Sequence, residues 1–504
     1  MIRIWTLALA FVLTSVPAGV AWSAEGIVGF ERGLPRSGNV ALGGRTKLVV
    51  VEFLDPKKTG LGKAVAALLF KDVFSAVLDQ AGAAIVYAPA PPNQRPAELA
   101  ERDHHRTALR IGAEQQGRLV LWGSIEPVGE SLILNTALSM LSAGEDPELV
   151  VQLTVMRQPV QDVAAELPWT RFDLPPITLR RTQLFDRIGV VGASGMPLRS
   201  ASEASAAVLR SARPGEILQI RDMLDEWFVI GDGGRQVFVD AKPRQDLSTG
   251  LQLLPRRIAG GADEPVHADS TERSAVVARL DAQRIYPVLN RRIIDGQAWY
   301  HVDAGGKRGW VMQTRVVGVQ DLAVTNLAIA ALRYVFGNPD GAERELRRFL
   351  TRPDSERTNV TTAGALQMLG VAMLRRGGLD AQSQVAALAV FDRAIEETPF
   401  DPAAHNLRAI ARLGLQGGLA AIDDLDAALA IDPLNGRTRI LAAALKRAGE
   451  SGGAPAIAEL KLRDPALQRR IDALLQRFSA RGAQQEEPRR LIEDMRRIFE
   501  PPRR

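Results

Sequence analysis

The feature that most constrains this chain is a hairpin written twice. "WFVIGDGGRQVFV" (residues 227–239) and "WYHVDAGGKRGWV" (299–311) match at a constant offset of 72. Each reads as a hydrophobic strand, a Gly-Gly turn (Gly233-Gly234; Gly305-Gly306) and a closing aromatic-valine pair. Upstream, "PLRSASEASAAVL" (197–209) matches "PVHADSTERSAVV" (265–277), but at an offset of 68. Four residues are therefore added in the second copy between Val288 and Trp299, and a surface turn is the expected place for them. Each unit is about 55 residues of short strands punctuated by Gly and Pro, which predicts a small all-β barrel.

A chain of 504 residues exceeds one hydrophobic core, so several domains are expected. Cysteine is absent, which excludes disulfides, thiol catalysis, cysteine-ligated metals and a lipid-modified N-terminal cysteine. Residues 1–23 read as an export signal: Arg3, an apolar run over 4–16, and small residues Ala21 and Ser23 before a cleavage point. An uncleaved anchor is the rival reading. The body is thus expected outside the cytoplasm, in the periplasm or cell envelope. Residues 24–44 form a Gly-rich linker, and 469–504 carry ten Arg against six acidic residues. In an exported protein that balance reads as a solvated basic tail, not as a nucleic-acid site.

Residues 45–160 alternate strands and helices. "TKLVVVEFLD" (46–55) is a buried strand by its β-branched run, and helical spacing follows over 60–82. A strand at 83–89, a helix at 96–117, a hairpin over 118–141 and a strand at 147–156 complete a βαβαββ layer with one further strand. "VVVEFLD" and "IGAEQQGRLVLWGSI" (111–125) resemble the N-terminal domains of the TolB translocation protein and of curli-secretion and flagellar outer-membrane lipoproteins. That resemblance implies a non-enzymatic envelope component, although the lipid-accepting cysteine of many such proteins is missing.

The two repeated units, at 185–245 and 262–318, resemble bacterial SH3-like domains. The first carries the Leu-Arg-Ser strand around Arg199; the second better keeps the close, with Trp299, Tyr300, Val302, Gly309, Trp310 and Val311. His267-Ala268 stand where Arg199-Ser200 sit. From 320 to 450 alanine-rich helical periodicity takes over. "LAVFDRAIEETP" (388–399) and "IDDLDAALAIDP" (422–433) align at an offset of 34 and resemble the tetratricopeptide repeat. Residues 326–350 read as a degenerate further unit. A basic helical tail is expected over 451–504, ending in an amphipathic stretch with Leu491, Ile492, Met495, Ile498 and Phe499 on one face. The predicted fold class is thus multidomain: an N-terminal α/β domain, two SH3-like β-barrels, and a C-terminal helical-repeat region.

No motif carries catalysis. "DPKKTGLGKAV" (55–65) lacks the P-loop spacing, with Lys57 at the first glycine and Ala64 after Lys63; it is expected to be a helix N-cap loop. His104 and His105 are adjacent, point to different sides of a helix and read as exposed polarity. Asp423-Asp424 read as a solvated pair. No metal or cofactor is expected, and the chain is expected not to be an enzyme. Ligand contact is expected from aromatics near turns, Trp227 and Phe238 in the first copy and Trp299, Tyr300 and Trp310 in the second, together with Arg199. The second copy, richer in aromatics, is the expected groove. The partners implied are a cell-wall peptide or protein segment at the SH3-like units and a partner protein at the helical repeats. Membrane contact is expected only through the N-terminus or the C-terminal amphipathic helix. Two alternatives stay open: an oligomeric structural subunit of an envelope or secretion assembly, and an enzyme whose scattered active site no motif reveals.

Overall fold

A computed structural model describes residues 47–77, 84–88, 101–141, 148–155, 158–165, 171–192, 195–241, 250–260, 263–281, 284–294, 297–320, 322–335, 338–377, 380–416, 418–450 and 455–463. The export signal, the linker and the C-terminal amphipathic stretch lie outside them. The chain is a mixed α/β protein of several parts, with most strands in its first two thirds, then stacked helices and one late strand.

The first part has the expected βαβαββ order: β1 (Lys47–Val51), α1 (Leu61–Ala76), β2 (Ala84–Ala88), α2 (Glu101–Glu114), β3 (Leu119–Val128) and β4 (Ser131–Met140). Strands run β2-β1-β3-β4, with β1 parallel to both neighbours and β4 antiparallel to β3. The short strands β7 (Arg171–Asp173) and β8 (Ile177–Arg180) both pair with β4, and the short helix α3 (Arg181–Phe185) follows them. The unbroken apolar run of β1 is explained by burial on both faces. Leu48 and Val50 point to the α1 side, while Val49 and Val51 point to the α2 side with Ala108 and Ile111.

"PELVVQLTVM" does not extend this layer. Its strand β5 (Glu148–Val155) forms a separate antiparallel sheet with β6 (Gln158–Ala165) and β23 (Pro455–Arg463). The start of the expected helical tail is therefore a strand. "AIAELKLR" (456–463) alternates apolar and polar residues, the period of a strand, which the basic composition downstream obscured.

The duplicated units fold alike. The first sheet contains β9 (Arg187–Val191), β10 (Met196–Arg199), β11 (Val208–Ala212), β12 (Ile217–Leu224), β13 (Trp227–Asp232), β14 (Arg235–Asp240) and β15 (Leu251–Leu253). The second contains β16 (Arg257–Gly260), β17 (Glu264–His267), β18 (Val276–Leu280), β19 (Ile285–Ile294), β20 (Gln297–Ala304), β21 (Lys307–Met312) and β22 (Val316–Gly318). Their orders, β11-β10-β14-β13-β12-β9-β15 and β18-β17-β21-β20-β19-β16-β22, are the same path. Every strand pairing is antiparallel, and each path has two ends where a closed barrel was expected. Even the irregularities are repeated: bulges at Leu198/Arg199 and Val266/His267, and at Ile220/Asp222 and Val288/Asn290.

The four added residues are not in a turn. Leu224↔Trp227 is the last pair of the first hairpin, and Arg292↔Trp299 is its counterpart. The second hairpin continues with Ile293↔Ala298 and Ile294↔Gln297, then turns over the same two-residue gap. The insertion is two extra rungs. Adding two residues to each strand keeps every side chain on its own face, whereas one would have flipped them all. At the other hairpin, both Gly-Gly turns have positive φ at both positions: 58° and 84° in the first, 70° and 89° in the second. That is the left-handed pair a two-residue type I′ turn requires.

Seven helices follow: α4 (Ala323–Val335), α5 (Pro339–Leu350), α6 (Asn359–Gly377), α7 (Ala381–Glu397), α8 (Pro402–Gln416), α9 (Gly418–Ile431) and α10 (Gly436–Glu450). Each packs on the next. The positions aligned at 34 are core in both copies: Phe391 and Leu425, Ala394 and Ala428, Ala387 and Ala421.

These parts are not beads on a string. One apolar cluster runs from Leu48 and α1 through Leu198, Phe228 and Val239 of the first sheet to Leu327 of α4 and Phe391 of α7. The second sheet has its own core around Val266, Tyr286, Tyr300 and Val311. Helix α1 is the junction, buried on nearly all sides as an all-round apolar helix must be. At its N-terminus the Asp225 carboxylate of the first sheet lies against Gly60, where any side chain would collide with it. At its C-terminus Arg333 of α4 donates to the Ala76 carbonyl at 2.9 Å and Gln313 donates to the Ser75 carbonyl at 3.2 Å. An anion at the first turn and a cation at the last both suit the helix dipole.

Candidate ligand-facing sheet surfaces

In each repeated sheet the strand period divides the aromatics between two faces. On β20, Tyr300 and Val302 point inward with Val288 and Val311. Trp299 and His301 point the other way, and Trp310 on β21 joins them as the cross-strand partner of His301. On the first sheet the corresponding outer face carries Trp227, Val229 and Phe238, with Phe228 and Ile230 in the core. Arg199 pairs with Phe238 just as His267 pairs with Trp310. Five of the six sequence-predicted residues are therefore placed at equivalent spots on one kind of face. Tyr300 is the exception, 3% exposed in the core.

The two faces differ in openness. Trp227 and Phe238 are half-buried, so ring surface remains accessible. Trp299 is 2% exposed and Trp310 7%. His301 stacks on Trp310 at 4.8 Å between centroids, and the Arg292 guanidinium lies over the same ring at 4.5 Å. His267 meets Trp299 edge-on at 5.9 Å. The rings of the second copy are buried, with His267 against Trp299 and His301 and Arg292 against Trp310. Burial, reinforced by Arg308 and Arg292, holds the His301 pKa below its ordinary value; Asp303 opposes this.

Arg199 is engaged locally. Its guanidinium donates to the Ala206 carbonyl at 2.7 Å, pinning the β10–β11 loop. In the second copy His267 Nδ1 lies 3.1 Å from the Ser274 carbonyl, the equivalent position. The Arg-to-His exchange thus preserves a loop tether. What remains open beside Trp299 is a cavity of about 110 Å³ lined by Glu264, His267, Glu272, Met312 and Arg315 among others. Glu264 is held above the usual carboxylate range chiefly by burial, with Arg315 and His267 pulling the other way. The sequence reading missed Glu264, Glu272 and Arg315, although the offset of 68 marks His267 as the counterpart of Arg199.

Two further expectations change. His104 is buried, its Nε2 2.8 Å from the Gly123 carbonyl, because the apolar α2 face carries it into the sheet. His105 stacks on Trp122 at 4.9 Å, and Arg171 lies over the same indole at 5.0 Å. Asp424 is 2% exposed, not solvated: Arg408 donates to it at 2.6 Å and Arg412 pairs with it at 3.2 Å. Arg408 also reaches Asp392, so one guanidinium ties α7, α8 and α9 together. The 55–65 loop is a helix-entry loop as expected, with Gly60 in the left-handed conformation before α1.

No protein-family model matches the chain, and no curated protein does. Among solved structures the chain is matched to NlpC2 and NlpC1 from Trichomonas vaginalis at 11% and 10% identity, each with a TM-score of 0.14. The matches cover 29% of this chain and 56% and 52% of those proteins, so the chain spans about half the length of either. A likeness this slight assigns neither fold nor chemistry. Among the described residues no helix is long and apolar enough to cross a membrane.

Proposed function

We propose that this chain is a non-enzymatic, exported cell-envelope protein that holds a cell-wall peptide or a protein segment on its duplicated sheets, read as SH3-like modules. The helical stack, read as tetratricopeptide-like, serves a partner protein. The observation that carries this reading is the outer face of the first sheet. Trp227 and Phe238 are half-buried there, diagonal to each other on one face, above a core already filled by Phe228, Ile230 and Val239. Rigid aromatic area left partly open on a filled sheet suits an extended chain or a sugar ring.

Retention of the full chain on purified peptidoglycan tests the reading. Wild type is expected to sediment with the wall material. The Trp227→Ala/Phe238→Ala variant should be released, and Trp227→Phe should retain part of the binding. Equal retention, or equal absence of it, in wild type and the double variant overturns the proposal.

A further inference from the structure

A larger cleft of about 570 Å³ opens where the second repeated sheet meets the helical stack. Its walls come from three places: the turn Gln313–Arg315 after β21, Asn338 with α5 as far as Arg347, and the end of α6. Four guanidiniums line it, those of Arg315, Arg344, Arg347 and Arg376, against two carboxylates, those of Asp340 and Glu343. Two positive charges are thus in excess within one concavity. Its volume falls in the range of small-ligand sites, about 300–1,000 Å³.

The internal pairs order this wall without filling it. Glu343, with only 10% of its side chain exposed, accepts from Arg347 at 2.9 Å and Arg376 at 2.5 Å. Arg376 also lies 3.8 Å from Asp340. Arg344 donates to the Thr314 carbonyl at 2.8 Å, which fixes the turn presenting Arg315. Arg315 is exposed, and among the described residues it makes no hydrogen bond or ion pair. Its electrostatic coupling is to Glu264, in the smaller cavity that also contains Arg315.

We propose that this cleft binds a small dicarboxylate, such as the paired carboxylates of a C-terminal acidic residue. The guanidinium fork matches a carboxylate in bidentate geometry, and the wall already holds one carboxylate, Glu343, between two guanidiniums, Arg347 on Oε1 and Arg376 on Oε2. Two excess charges balance two carboxylates. A polyphosphate would bring more charge than the wall can neutralise and would face Asp340. The site is separate from the Trp227 face, so it stands or falls independently of peptidoglycan retention.

Calorimetric titration of the full chain with N-acetyl-L-glutamate at low ionic strength tests the proposal. Saturable binding is expected, weakening as salt is raised, because the guanidiniums at the rim are exposed. N-acetyl-L-glutamine, with one carboxylate, should bind about tenfold more weakly. Arg315→Gln, at a side chain that holds none of the wall's internal pairs, should weaken binding about tenfold without lowering the melting temperature; Arg315→Gln/Arg347→Gln should lose more, whereas Asp340→Asn should tighten binding. Three results overturn the assignment: no saturable heat up to about 10 mM ligand, equal affinity in wild type and the Arg315→Gln/Arg347→Gln variant, or pyrophosphate binding more tightly than the diacid.

Discussion

The ion pair between Asp72 and Arg187 offers the sharpest test of how the parts are joined. Asp72 lies on α1 and Arg187 opens β9, 115 residues later, and their atoms meet at 2.7 Å. Their side chains are 5% and 1% exposed, so both charges have left water. At an effective dielectric constant near 20, that separation corresponds to a gross attraction of about 6 kcal/mol. Desolvation offsets most of it, which is why the pair adds little over a well-packed apolar substitute. Removing one partner is different, because the other charge stays buried. Asp72→Leu and Arg187→Met are each expected to cost about 3–5 kcal/mol. The double variant should cost only about 1–2 kcal/mol, mainly for the lost Arg187 Nε bond to the Leu184 carbonyl. Urea denaturation followed by tryptophan fluorescence gives the four stabilities of the cycle. If the double variant loses the sum of the two single losses, the charges are not coupled. The view of α1 as an electrostatically locked junction would then be wrong.

Other expectations can be checked on the same material. Trp299→Ala should cost about 3–5 kcal/mol, as for any buried ring, and Trp227→Ala about 1–2 kcal/mol; similar losses would contradict the difference in burial. Acid should destabilise the fold through His105 and His301, whose pKa values are lowered chiefly by burial, then by Arg171 for His105 and by Arg308 and Arg292 for His301. Below the ordinary value near 6.5 the unfolded chain binds more protons at these sites, so stability falls as pH drops through that window. The melting temperature should fall between pH 7.5 and 5.5 by less in a His105→Phe/His301→Phe variant; an unchanged fall would refute the assignment.

The sequence was most legible where a physical rule acts locally. Gly233-Gly234 and Gly305-Gly306 announce left-handed turns because two consecutive positive φ angles suit glycine best. The run Val49-Val50-Val51 announces a strand covered on both faces, and two helices cover it. Legibility failed where the deciding contact comes from far away. Nothing near residue 457 says that it pairs with Leu153, and nothing near Asp424 says that Arg408 and Arg412 will enclose it. The continuous core through α1 was hidden for the same reason. Pro, Gly and composition mark boundaries along the chain, but they do not report which surfaces meet afterwards.

The aromatic count points to the second copy, yet its rings are the buried ones, and the reason is physical. Relative to the first sheet, the second replaces Leu224 by Arg292, Val229 by His301 and Phe238 by Trp310. The first two exchanges add groups able to stack and the third enlarges a ring, and together they bring Arg292 and His301 onto Trp310. Rings that satisfy one another are withdrawn from a ligand, so more aromatics here means less open aromatic surface. The first sheet keeps smaller apolar partners around Trp227 and Phe238 and leaves both half-buried. Register and bulges are repeated between the copies, while core positions differ as well, as at Phe228/Tyr300 and Val237/Gly309. On the outer face the rings of the second copy are buried, and the open aromatic area is on the first.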